Sequence, residues 1–210
     1  MRSLIRRARS NSLVELVVLV AVALFLALTV QAYAVKPYRI PSGSMEPTLA
    51  IGQRVIVDRL THRLGESPSV GQIIVFNPPA GADNEQCGAA AQGEGTSSPC
   101  SRPQSRKSSE TFIKRVVAVG GDTIAIRDGH VVRNGELVSE PFAASCGGGS
   151  DCNFPHAITV PQGYVFVMGD NRTNSLDSRF SLGMIPFDKV IGRAFVTVWP
   201  PSRIRWLHGL

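Results

Sequence analysis

A run of apolar residues near the start of the chain constrains everything after it. Leu16 to Leu28 contains no polar side chain, and the weaker flanks Leu13–Glu15 and Thr29–Val35 extend it. Leu13–Val35 is 23 residues long. At ~1.5 Å per residue a helix of that length crosses a hydrocarbon core of ~30 Å. Arg2, Arg6, Arg7 and Arg9 precede the run, and no comparable cluster follows it. The positive-inside rule then leaves residues 1–12 in the cytoplasm and puts residues 36–210 outside. A cleaved secretory signal fits the same segment, because a basic start, an apolar centre and Ala32-Tyr33-Ala34 form the processing pattern. Both readings deliver the rest of the chain to the same side of a membrane.

Charge and cysteine placement support that compartment. The formal charge of +6 belongs largely to the leading arginines, since 18 basic and 15 acidic residues remain from Lys36 onward. No basic stripe interleaved with aromatics argues for nucleic acid. Cys87, Cys100, Cys146 and Cys152 all follow the apolar run, and each successive pair closes a short Gly/Ser-rich loop. Such pairs read as disulfides in an oxidising space. The close C-x-x-C spacing or nearby histidines of a metal site are absent, so neither a metal nor another cofactor is expected.

Beyond residue 36 the pattern is of strands. Gln53–Asp58, Gln72–Phe76, Phe112–Val119, Thr123–Arg127, His130–Arg133, Glu136–Val138, Ala157–Val160, Tyr164–Met168 and Val190–Trp199 are rich in β-branched and aromatic residues. Asp128-Gly129 and Asn134-Gly135 are hairpin-turn dipeptides. The expected fold is mainly β, an antiparallel folded sheet or partly closed barrel behind one transmembrane helix. Asn77–Glu110 lacks large aliphatic and aromatic residues, so it reads as an exposed insertion between two strands.

Three segments carry chemistry. The first is Pro41-Ser42-Gly43-Ser44-Met45-Glu46-Pro47-Thr48-Leu49. A serine hydroxyl is a weak nucleophile and needs a base. His62, His130, His156 and His208 lie in segments that resemble no known triad, which turns attention to the four lysines. Lys36 sits at the membrane face, Lys107 in the insertion and Lys189 in a charged turn. Lys114 belongs to the strand Phe112–Val119, apolar on both faces. By alternation Phe112, Val116 and Ala118 share its face, and Arg115 shares the other with Ile113 and Val117. Burial disfavours an ammonium ion, so the neutral amine becomes available as a base. The third segment, Gly169-Asp170-Asn171-Arg172-Thr173-Asn174-Ser175-Leu176-Asp177-Ser178-Arg179, mixes both charge signs with hydroxyls and amides, as a hydrogen-bonded scaffold would. A buried Arg115 needs a carboxylate, and Asp170 is a candidate.

In this order, behind an N-terminal anchor, these segments resemble the signature boxes of bacterial type I signal peptidases. The resemblance implies a membrane-bound serine endopeptidase that removes signal peptides from exported preproteins, cutting after small residues in Ala-x-Ala fashion. It implies Ser44 as nucleophile and Lys114 as general base, with the Ser42 hydroxyl and the Ser44 N–H as oxyanion hole. Ser175 would orient the lysine amine, Asp177 and Arg179 would support it, and Asp170 would pair with Arg115. Tyr38, Ile40, Pro41, Leu49, Phe112 and Ile113 would line shallow pockets for small side chains. The implied partners are preproteins and the lipid bilayer, close to the secretion translocon. Thr173 stands where an acid is common in that box, and the insertion matches no motif.

An extracytoplasmic adhesion domain would keep the anchor and the strands but leave Lys114 and the serine segments unexplained. The S-x-x-K of penicillin-binding enzymes is missing, since Tyr33, Gln104, Thr111 and Pro186 stand three before the four lysines. Self-cleaving Ser–Lys repressors share the chemistry, but they have no membrane span, and no DNA-reading helix pair is visible here.

Overall fold

The structure is a computed structural model, and it describes residues 12–79, 110–148, 152–180 and 182–207. The expectations for residues 1–11, for most of the insertion and for Cys87 and Cys100 lie outside these residues.

The apolar run forms helix α1, Ser12–Tyr33, and its side chains from Leu13 to Leu28 are exposed. Over the described residues, no helix is long and apolar enough to cross a membrane. The helix stops two residues short of the expected boundary. Val35 opens strand β1, Val35–Arg39, and pairs with Asp58 of β2, Arg54–Asp58. A four-residue helix α2, Leu60–Arg63, follows.

The strands that follow are β3 (Ile73–Phe76), β4 (Phe112–Val119), β5 (Thr123–Arg127), β6 (His130–Arg133), β7 (Glu136–Leu137), β8 (Phe154–Thr159), β9 (Tyr164–Met168), β10 (Ile185–Pro186), β11 (Val190–Trp199) and β12 (Arg205–Trp206). The larger sheet runs β1-β2-β11-β3-β4-β9-β10, with β12 added alongside β11. The smaller runs β7-β6-β5-β8. Every pairing within them is antiparallel. This is the mainly β architecture expected from the strand pattern. The dipeptide turns form as read: Asp128, Gly129, Asn134 and Gly135 all have positive φ, which type I′ hairpins require.

The insertion joins neighbouring strands. Phe76 of β3 pairs with Phe112 of β4, and Asn77 Nδ2 donates to Glu110 O at 2.9 Å, so the chain leaves and returns at one point. Cys146 and Cys152 are disulfide-bonded.

β4 lies between β3 and β9, so both its edges are paired, and core clusters cover its faces. Ile113 packs with Ile40, Met45, Leu49, Val55 and Ile73 in one core cluster. Phe112 and Val116 join Ile74, Phe76 and Val167 in a second. Simple alternation ends there, because the β4–β9 register shifts between Val116 and Ala118. Val117 and Ala118 both enter a third cluster with Ile124, Phe154 and Phe166. Ala118 therefore does not share the face of Phe112 and Val116; a bulge turns consecutive residues the same way.

Candidate active site

Ser44 lies in a 3₁₀ turn, Gly43–Met45. Met45 and Leu49 are fully buried in the first core cluster, and they pin the turn from below. Leu49 N–H donates to Met45 O at 2.7 Å, and Glu46 N–H to Gly43 O at 3.1 Å. The loop after β9 holds the turn from above. Asn171 N–H donates to Ser44 O at 3.1 Å, and Asn171 Nδ2 donates to Gly43 O at 3.1 Å. Ser44 is left with 7% of its surface exposed.

Lys114 reaches that serine from β4. Its Nζ lies 2.7 Å from Ser44 Oγ, and the side chain is buried at 4% exposure. Burial pushes the amine down from 10.5 to about 8; Asp177 and Asp170 raise it against that trend, and Arg179 lowers it. The Phe112 ring lies 5.5 Å from Nζ. Ser42 Oγ–H faces Ser44 Oγ at 3.4 Å.

Two buried ion pairs frame this contact. Arg115 grips Asp170 through Nε–Oδ1 at 2.8 Å and Nη2–Oδ2 at 2.7 Å, donates from Nη1 to Gly71 O at 2.8 Å, and stacks over Phe142. Arg179 meets Asp177 through Nε–Oδ1 at 2.9 Å and Nη2–Oδ2 at 3.0 Å. Burial alone would push the Asp177 carboxyl up, but the Arg179 charge and hydrogen bonds, the Gly169 N–H and the Ser175 hydroxyl together hold it below 3.8. Ser175 Oγ is buried beside that carboxylate, in a contact that falls short of ideal hydrogen-bond geometry. It packs against Gly169, where an added Cβ would lie 2.3 Å from Ser175 Oγ and 2.4 Å from Ser44 O.

The pocket residues fall into three places. Ile40, Leu49 and Ile113 are enclosed in the first cluster, with Tyr38 packed against it. Phe112 is half-buried and packs on Phe76 with ring centroids 6.3 Å apart. Pro41 is exposed. Among the described residues, no three His, Cys, Asp or Glu side chains gather as a metal site would require.

Three residues around the site were not singled out from the sequence: Asn171, Arg172 and Glu140. The first two stand inside the segment read as a hydrogen-bonded scaffold, where the sequence names no partner for either. Glu140 follows a short strand and carries no signal of its partner.

The chain matches the family described as signal peptidase, peptidase S26, over residues 13–199. It is 36% identical over 189 residues to a probable signal peptidase I-1 of Synechocystis, covering 90% of this chain and 84% of that one. It is 35% identical over 225 residues to signal peptidase I of Mycobacterium tuberculosis, covering 94% and 76%. A signal peptidase I crystal structure from Enterococcus faecalis aligns at 26% identity over 61% of this chain and 97% of that chain, with a TM-score of 0.39.

Proposed function

Because the chain belongs to the signal peptidase S26 family and is a peptide hydrolase that removes signal peptides, we propose that Ser44 and Lys114 are the dyad that does so. The observation that carries this reading is the 2.7 Å contact between Ser44 Oγ and a buried lysine amine whose pKa is lowered to about 8.

The reaction follows from that geometry. Neutral Lys114 Nζ accepts the Ser44 proton as Oγ attacks the carbonyl carbon before the scissile bond. The oxyanion that forms is met by the Ser42 hydroxyl, which lies 3.4 Å from Ser44 Oγ, and by the Ser44 N–H. The C–N bond then breaks, and the Lys114 ammonium returns its proton to the departing amine, which becomes the new N-terminus. Water attacks the acyl-serine with Lys114 again as base, releasing the signal peptide. Burial keeps the amine available as a neutral base, with Arg179 acting in the same direction and Asp170 and Asp177 against it; Arg115 and Arg179 hold those carboxylates in place, and Ser175 is the residue that orients the amine. Small side chains before the cut meet the accessible apolar surface of Tyr38, Pro41 and Phe112, backed by Ile40, Leu49 and Ile113, which are enclosed in the core.

Anchoring belongs to the same proposal. It rests on the apolar sequence Leu13–Val35 and on the exposed side chains Leu13 to Leu28 of α1, although over the described residues no helix is long and apolar enough to cross a membrane. An exposed apolar helix of this kind needs cover that a lipid bilayer supplies. The domain then works on the outer face of a membrane, beside the translocon that delivers exported preproteins, with residues 1–12 inside.

The test uses full-length protein in detergent with a preprotein carrying Ala-x-Ala before the cut. The expected result is one new N-terminus after the second alanine, lost in Ser44→Ala and in Lys114→Arg. Guanidinium stays protonated at any usable pH. Turnover near that of the native enzyme in folded Lys114→Arg would overturn the dyad.

A further inference from the structure

Arg172 and Glu140 form a buried ion pair that the reaction above does not use. Both side chains are 1% exposed. Arg172 Nη2 donates to Glu140 Oε1 at 2.6 Å, and Nη1 donates to Oε2 at 2.9 Å. Taking two charges out of water offsets most of their attraction, so such a pair adds little stability over an apolar substitute. Its value lies in fixing a geometry.

Four further contacts show which geometry is fixed. Arg172 Nε donates to Gly169 O at 3.0 Å, and Nη1 also donates to Gly129 O. Glu140 Oε2 accepts the Val131 N–H at 3.0 Å, and the Arg172 carbonyl accepts Arg179 Nη2 at 2.8 Å. Gly129 and Val131 belong to the β5–β6 hairpin of the smaller sheet. The hairpin is itself secured, since Gly129 N–H donates to Cys152 O at 2.7 Å, and an added Cβ there would lie 2.4 Å from Cys146 Cβ.

At the other end stands Gly169. Its N–H donates to Asp177 Oδ2 at 3.1 Å, and the space beside its Cα is filled by Ser44 O and Ser175 Oγ. Asp170 follows it, paired with Arg115 next to Lys114. A tilt of the Gly169 peptide therefore moves the support of Ser44 and the two carboxylates facing Lys114 together.

We propose that Arg172, locked by Glu140, is a positioning residue through which the smaller sheet holds the Gly169 peptide against the nucleophile turn. The inference rests on the reading of Ser44 and Lys114 as the dyad.

The test measures kcat, KM, the pH–rate profile and thermal melting for Glu140→Gln, Arg172→Lys and the double variant. It uses full-length protein in detergent with the same preprotein. Rates are taken below each melting midpoint, with Lys114→Arg as control. Displacing a reacting group by a fraction of an ångström predicts a kcat about 10–100-fold lower at a KM changed by less than about twofold. The rising limb should move to higher pH, because Lys114 faces Asp177, Asp170 and Arg179, and a loosened loop admits water to the amine. The double variant should be no slower than the slower single one. A native kcat with an unmoved limb in either folded variant overturns the inference, whatever happens to melting. So does failure of both single variants to fold, since the pair then serves the fold alone. If Lys114→Arg keeps its turnover, the dyad itself has failed; if it is dead while the Glu140 and Arg172 variants are unaffected, the dyad stands and only this inference falls.

Discussion

Lys114 carries opposed demands. Its burial lowers the amine to about 8 from 10.5, which makes a base near neutrality but disfavours the folded state wherever the amine is charged. The folded protein holds the proton less tightly than the unfolded chain, so that disadvantage is complete below about 8 and fades as pH rises from there to 10.5. Lys114→Met should therefore be inactive yet more stable than the native protein at pH 7, with the gap in melting temperature closing across that window. A gap that stays constant with pH would mean the native lysine is not the titrating group. Activity should rise with pH through about 8 as the amine becomes neutral. Ser42 tests a different atom. Its hydroxyl sits 3.4 Å from Ser44 Oγ, and removal of one oxyanion donor costs about 10²–10³ in kcat. Ser42→Ala should show that loss with little change in KM; an equal loss confined to KM would place Ser42 in binding instead.

At the scale of elements, the site is a meeting of one turn, one strand and one loop, and Gly169 is where they come closest. An added Cβ would lie 2.4 Å from a backbone oxygen, Ser44 O, and 2.3 Å from Ser175 Oγ. The backbone oxygen cannot yield without moving the nucleophile turn. Gly169→Ala should therefore reduce kcat about 100-fold, as a displacement near the reacting atoms does, while Gly135→Ala, strained by its φ of +86° but with open space around its Cβ position, should cost stability and leave kcat unaltered. Equal activity in the two would remove Gly169 from the argument. This crowding illustrates what the sequence could and could not carry. The long strands were legible because β-branched runs between turn dipeptides have one favourable arrangement. Lys114 stood out as a charge in a strand apolar on both faces. The two-residue strands β7, β10 and β12 carry too few side chains to make a pattern, although the stretch holding β7 was marked by its turn. β1 shares Val35 with the end of the apolar run, and Lys36-Pro37-Tyr38-Arg39 carries no strand alternation. The bulge after Val116 inverts the alternation without any glycine or proline to announce it. Glu140 and Arg172 lie 32 residues apart, and nothing local in either segment names the other.

For the whole molecule, the order of the chain matters as much as its fold. α1 leads directly into β1, so the larger sheet begins where the apolar helix ends. If α1 is the anchor, N-terminal analysis of membrane-bound protein should find it still attached; a start at Val35 in most molecules would make it a cleaved signal. The site itself is scattered: Ser44 meets Lys114 across 70 positions, and Gly43 meets Asn171 across 128. Such long-range contacts close late and slowly in folding. Synthesis from the N-terminus delivers Ser44 well before Lys114, and both before the loop that holds them. The contacts of the site are therefore complete only once the last third of the chain has been made and the sheets have closed. On refolding from denaturant, cleavage should return with the slowest tertiary phase rather than with the first β signal; activity in the earliest phase would contradict it.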